Sequence, residues 1–139
     1  MKWLMITIVL CLAATTAFAY TEQQAAHGKQ LFTRHCAVCH GPEGHGGTVP
    51  AQFSQHAGLQ APPVAGPGGL PGMTTAGQVY KFITTNMPLN APGTLSKQDY
   101  IDIVAFDLQA NKIMEPGDKP LTAADADKIQ LVKGGGKMK

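Results

Sequence analysis

The chain has 139 residues, a formal net charge of +2 from 11 basic and 9 acidic side chains, and three cysteines. That length accommodates one domain, and a near-balanced charge with Arg34 as the single arginine excludes a nucleic-acid binder. Sixteen Gly and ten Pro against five Phe, three Tyr and one Trp leave few large side chains for an interior. Such a chain is either partly disordered or folds around something other than its own side chains.

The first residues read as an export signal. Lys2 precedes an apolar run from Trp3 to Ala14, and Ala17-Phe18-Ala19 supplies small residues at a cleavage point. Residues 1–19 are therefore expected to be removed, leaving a periplasmic chain that starts at Tyr20 and has no stable membrane anchor. The run is short for a membrane span, and Leu10 before Cys11 is too large for a lipoprotein signal. Cleavage removes Trp3 and Cys11 but no Gly or Pro, so the shortage of core becomes sharper.

Thr21-x-x-Gln24 has the form of a helix cap, and Ala25, Gly28, Leu31 and Phe32 then fall on one helical face leading to Cys36. Cys36-Ala37-Val38-Cys39-His40 follows, the strongest signal in the chain. C-x-x-C-H is the attachment pattern of c-type haem, in which two thiols form thioethers and the adjacent His binds iron. One helical turn puts Cys36 and Cys39 on the same porphyrin edge and lets His40 point under the ring. The competing chemistries fit less well. A zinc site needs four ligands and the mature chain has no second Cys pair. A redox dithiol or a plain disulfide gives His40 no task, and no strand precedes the motif. From Gly41 to Gly72 the chain holds nine Gly and six Pro, an irregular connection whose middle, Ala51 to Leu59, is the part most open to disorder.

Thr75-x-x-Gln78 starts a second helix with Val79, Phe82 and Ile83 as its stripe, ending near Met87-Pro88. Ser96-x-x-Asp99 starts a third, with Leu95 stapled against Tyr100 and a stripe of Tyr100, Ile101, Val104, Ala105 and Leu108. Glu115-Pro116-Gly117 reads as a break that separates a domain over residues 20–115 from an extension over residues 116–139. In that extension Thr122-x-x-Asp125 caps a short outer helix reaching to Val132, and Gly134 to Lys139 form a frayed basic tail.

Gly28-Lys29-Gln30-Leu31-Phe32, the Cys36–His40 motif, Pro62-Pro63-Val64-Ala65-Gly66, Met87-Pro88 and Tyr100 to Leu108 together resemble the class I c-type cytochromes, the monohaem cytochromes of the bacterial periplasm. The resemblance covers most of the mature chain. It implies an all-α fold, three core helices around one covalent haem c with long Gly/Pro-rich loops. It implies axial iron ligation by His40 and Met87, and a loop proline carbonyl, Pro62 or else Pro63, orienting His40. It also implies a close crossing of the first and last core helices, with Gly28 and Phe106 as the pair. Met73 and Met114 are the other thioether candidates and read as packing or surface residues. His45 is too near His40 to serve, His56 sits in the loop, and His27 and His35 read as solvent-facing.

There is no carboxylate pair with a defined role, no Ser/His/Asp arrangement and no phosphate loop. A haem with both axial positions filled passes single electrons, so the expected function is electron transfer between redox proteins and not catalysis. The donor would be a dehydrogenase or membrane complex and the acceptor an oxidase or other respiratory-chain component. A dedicated cytochrome subunit of a periplasmic alcohol or sulfur-compound dehydrogenase is the main alternative, and a haem sensor or peroxidase with a displaceable ligand a further one. Lys81 and Lys97, on either side of Met87, are either a docking patch or ordinary solvated lysines. In this account haem is the missing core. The mature chain made without haem is then expected to show no cooperative unfolding transition by circular dichroism; a sigmoidal transition would overturn that expectation.

Overall fold

The computed structural model describes residues 19–131; apart from Ala19 the export signal lies outside them, as do Val132 and the basic tail. The helices are α1 (Glu22–His35), a single turn α2 (Ala37–His40), α3 (Ala76–Asn86), α4 (Lys97–Ala110) and the short α5 (Ala123–Ala126). The strands β1 (Gly47–Thr48) and β2 (Gln60–Ala61) form an antiparallel two-residue ladder, with Gly47 opposite Ala61 and Thr48 opposite Gln60. All four expected caps form. Thr21, Thr75, Ser96 and Thr122 accept from the backbone N–H of Gln24, Gln78, Asp99 and Asp125. At Ser96 the Asp99 carboxylate also accepts from the cap's own N–H, which completes a reciprocal box. No helix among the described residues is long and apolar enough to cross a membrane.

The fold turns on the contact between α1 and α4. A Cβ at Gly28 would fall on the Asp102 carbonyl and stand 3.0 Å from the Ile103 nitrogen. Gly28 therefore meets the α4 backbone at its nearest approach, one turn before Phe106. One turn further along both helices, Phe32 packs on the Phe106 ring, with centroids 5.1 Å apart and planes tilted by 44°. The glycine sets the approach, and the aromatic pair fills the wider space that opens one turn later.

A buried polar cluster pins the same crossing. Asp102 accepts from Gln24 Nε2 at 2.9 Å and from Gln98 Nε2 at 2.7 Å, and its Oδ2 lies 2.8 Å from His27 Nδ1. His27 is thus half-exposed and paired, not simply solvent-facing. Gln24 completes its hydrogen bonding on the backbone of Leu121, donating to the carbonyl at 3.0 Å and accepting from the N–H at 2.7 Å. Every polar atom of the glutamine amide is engaged, which is what burying it requires.

That contact joins the C-terminal segment to the rest of the chain. Leu121, Ala126, Ile129 and Leu131 pack in one cluster with Tyr20, Ala25, Val79, Ile101, Val104 and Leu108. Ala76 N–H donates to the Ile129 carbonyl and Leu131 N–H to that of Thr74. Tyr20 is buried, its hydroxyl donating to the Met114 carbonyl at 2.9 Å. Residues 117–131 therefore share the core of the chain, although Glu115-Pro116-Gly117 looks like a boundary. The outer helix expected from Thr122 is helical only over Ala123–Ala126, because the chain then extends to pair Gln130 with Thr75.

Two amphipathic stripes also differ from expectation. Phe82 is 42% exposed, since Val79 and Ile83, four apart, carry the inward face of α3. In α4 every residue from Tyr100 to Leu108 is buried, because the helix is packed on more than one side. At the crossing, Gly28→Ala is expected to destabilise the haem-loaded protein by ~1–3 kcal/mol through overpacking against Asp102, and Gly28→Leu to prevent folding. Denaturant melts of the two variants check this, and a neutral Gly28→Ala would refute it.

Candidate functional site

The site begins where α1 ends. Cys36 leaves the helical conformation while its N–H still donates to the Phe32 carbonyl at 2.8 Å. Its own carbonyl then accepts from Cys39 at 3.1 Å and His40 at 2.9 Å, which winds the turn α2. Cys36 and Cys39 are free thiols. Burial, with smaller contributions from Asp107 and Cys39, pushes the Cys36 thiol up to about 12, and burial also raises that of Cys39. A redox dithiol needs a readily formed thiolate, so this pair is not built for that chemistry. Among the described residues no group of three or more His, Cys, Asp and Glu comes together as a cation site, which also disfavours structural zinc.

His40 is oriented from behind. Its Nδ1 lies 2.8 Å from the Pro62 carbonyl. A carbonyl can only accept, so Nδ1 carries a proton, and in the neutral ring Nε2 is the nitrogen with the lone pair. The loop is shaped to bring that carbonyl there. Gly46, at φ +90°, donates to the His40 carbonyl, and a Cβ on it would meet the Ala61 carbonyl oxygen at 2.9 Å. A Cβ on Gly47 would meet the Cys39 carbonyl at 2.7 Å. The β1–β2 ladder thus lies flat on the motif turn, with no room for side chains between them. Further on, Val64 and Ala65 both donate to the Gly44 carbonyl, and Asn111 Nδ2, at the end of α4, donates to the Val64 carbonyl at 2.8 Å.

Met87 caps the C-terminus of α3, its N–H donating to the Ile83 carbonyl at 3.0 Å ahead of a cis bond to Pro88. The Tyr100 hydroxyl donates to the Met87 carbonyl at 2.6 Å, a bond worth about 0.5–1.5 kcal/mol net. α4 thereby holds the end of α3.

These pieces meet in one cleft, open to solvent on one side. Cys36, Cys39, His40, Pro62 and Met87 all line it, together with Phe32, Val49, Leu59, Ile83, Leu95 and Ile103. Its walls are mostly apolar with few polar groups, as in sites that hold a small organic molecule. The residues fit a porphyrin: apolar walls for the disc, two thiols from one turn for its edge, and an imidazole nitrogen with a free lone pair.

The other candidates fall elsewhere or at the rim. Met73 and Met114 pack against the hydrophobic core, and His45 lies against Gly66. His35 and His56 do line the cleft, so His35 is not merely a surface residue. Lys81 forms an ion pair with Asp127 at 3.1 Å, so it is not an unengaged half of a docking patch. Tyr100, Ile103 and Asp107 form the cleft-facing row of α4, at positions i, i+3 and i+7. Asp107 was not legible as a site residue. Its signal was a carboxylate inside Val104-Ala105-Phe106-Asp107-Leu108, a run too apolar for a solvent-facing acid.

Comparison with known proteins agrees with this geometry. Residues 23–106 match the family described as "Cytochrome C oxidase, cbb3-type, subunit III". The chain is 32% identical over 88 residues to a thiosulfate dehydrogenase of Psychrobacter arcticus, covering 61% of this chain and 25% of that one. It is 31% identical over 109 residues to the thiosulfate dehydrogenase of Stutzerimonas stutzeri, covering 76% and 33%. Among solved structures, the sulfane dehydrogenase SoxCD from Paracoccus pantotrophus superposes with a TM-score of 0.55 at 29% identity, covering 78% of this chain and 53% of that one. The chain thus spans a quarter to a third of the length of these curated relatives. With the motif, the cleft and the matched span in agreement, the chain belongs to the cbb3-type subunit III family of cytochrome c domains and is a class I c-type cytochrome.

Proposed function

We propose that this cytochrome domain carries single electrons on one haem c in the periplasm, after removal of residues 1–19. Cys36 and Cys39 would hold the porphyrin as thioethers, His40 and Met87 would bind its iron, and Pro62 would orient His40. The observation that carries this is the meeting of both thiols, the His40 ring and Met87 in a single apolar cleft, with the His40 proton already committed to Pro62. Haem supplies a one-electron iron couple.

The chain's own residues supply the rest. The Pro62 carbonyl keeps the His40 ring in one tautomer and orientation, so the ligand needs no rearrangement between oxidation states. Tyr100 holds the Met87 carbonyl and with it the end of α3. Phe32, Val49, Ile83, Leu95 and Ile103 exclude water from the cleft walls, and a site already ordered does not need to reorganise when charge moves. Val38 and Leu59, exposed by 48% and 54%, flank the open side, where a redox partner would come close. In the purified oxidised protein we expect the weak red charge-transfer band of methionine-ligated haem. Met87→Ala should abolish it and open the iron to rapid CO binding in the reduced state. Absence of the band from the wild type, or its survival in the variant, would refute Met87 as ligand.

A second reading is favoured by the relatives. Two are named thiosulfate dehydrogenases and one matching structure is a sulfane dehydrogenase, and this chain spans only part of each. The domain would then receive electrons from a sulfur-compound dehydrogenase in a lasting complex instead of diffusing between partners. Crosslinking in the native periplasm followed by purification separates the two. A catalytic chain that stays with the cytochrome through size exclusion supports the subunit, and an isolated cytochrome supports the shuttle.

A further inference from the structure

Asp107 lies in the wall of the haem cleft, and nothing in the function above uses it. It is only 4% exposed, and its Oδ1 has no hydrogen-bond partner among the described residues. Asp102, on the same helix and 5% exposed, is the contrast: its carboxylate is met by Gln24, Gln98 and His27. An ionised carboxylate in an apolar wall without such partners is costly, and the usual outcome is that it holds a proton. Burial accordingly sets the Asp107 carboxyl well above the ordinary carboxylate range.

Asp107 is within electrostatic reach of the Cys36 thiol, one of the two proposed attachment points. The other titratable groups lining the cleft are His35 of α1 and Cys36 at its C-cap, Cys39 and His40 from the α2 turn, His56 from the loop and Tyr100 from α4. Ile83 of α3 and Met87 at its C-cap also line it and bring no ionisable group. An electron added to iron in this cleft meets little water to screen it, so a carboxyl in the wall feels it strongly.

We propose that Asp107 couples proton uptake to electron uptake: as the bound haem goes from Fe(III) to Fe(II) by one electron from its donor protein, the Asp107 carboxylate binds one proton from solvent, and it releases that proton when the electron leaves. The inference rests on the haem reading above. One positive and one negative charge enter together, so the net charge of the buried site is unchanged. The sign follows from the charges. The extra electron favours the protonated acid, so the carboxyl holds its proton to higher pH in the reduced protein than in the oxidised one. Between those two points the midpoint potential falls as pH rises, and outside them it is flat.

The test is a spectroelectrochemical titration of the haem-loaded mature chain at constant ionic strength, from acid to mildly alkaline pH. The wild type should show a pH-dependent segment with a slope of up to ~59 mV per pH unit, the one-electron equivalent of a tenfold change in proton activity. Asp107→Asn, which keeps the shape, and Asp107→Leu, which matches the apolar wall, should both lose that segment. Oxidised-minus-reduced infrared spectra of the wild type should show a protonated-carboxyl band that shifts in heavy water and is missing from Asp107→Asn. A wild-type potential independent of pH, or a slope unchanged in both variants, would overturn the proposal while leaving the haem reading intact. A mature chain without covalent haem and a reversible one-electron couple would overturn both.

Discussion

The approach of Gly28 to the Asp102–Ile103 peptide is the contact on which the rest of the structure depends. It is a contact between two helix backbones, so there is no side chain that could rotate away to relieve an added methyl. Its consequences run in both directions along the helices. Toward the end of α1 it places Phe32 against Phe106 and then delivers Cys36 to the cleft. Along α4 it sets the row Tyr100, Ile103 and Asp107 facing the same space. Tyr100 then reaches Met87 through its hydroxyl. One van der Waals constraint therefore positions residues far apart in sequence that must share a site to be of use.

The two buried aspartates of α4 show how differently the fold treats the same side chain. Asp102 lies in a cluster that satisfies it and that spans α1, α4 and the backbone of Leu121. Such a network specifies one arrangement of three segments, because any slip leaves a charge or an amide unpaired in the interior. Asp107, five residues on and turned toward the cleft, has nothing equivalent for Oδ1. A carboxyl that only maintained the fold would be expected to have partners of the first kind.

The glycine-rich connection is shaped by a similar need for closeness. Gly46 and Gly47 lie where the β1–β2 ladder passes over the Cys39–His40 turn, and each has a carbonyl where a Cβ would stand. That proximity is what puts the Pro62 carbonyl behind the His40 ring. The composition that suggested a thin interior is thus partly a requirement of the site. It also undercounts the core, since Leu121, Ala126, Ile129 and Leu131 join Tyr20, Val79 and Leu108 in a cluster that residues 20–115 alone would leave open.

Local chemistry was decided in the amino-acid sequence. The caps at Thr21, Thr75, Ser96 and Thr122, the Cys36–His40 turn and the end of α3 at Met87 all depend on residues a few positions apart, and the spacing of those residues is the chemistry. The choice between Pro62 and Pro63 beside His40 was not local. It was set by the register of Gly47 opposite Ala61, a pairing across the whole irregular loop. The same holds for Gly28 meeting the Asp102–Ile103 peptide, for Phe82 facing outward, for Lys81 being engaged by Asp127, and for the final segment entering the core. Each is fixed by which helix face or strand edge is already occupied by a distant segment. Sequence spacing carries periodicity along one element, but occupancy between elements exists only once the chain has folded.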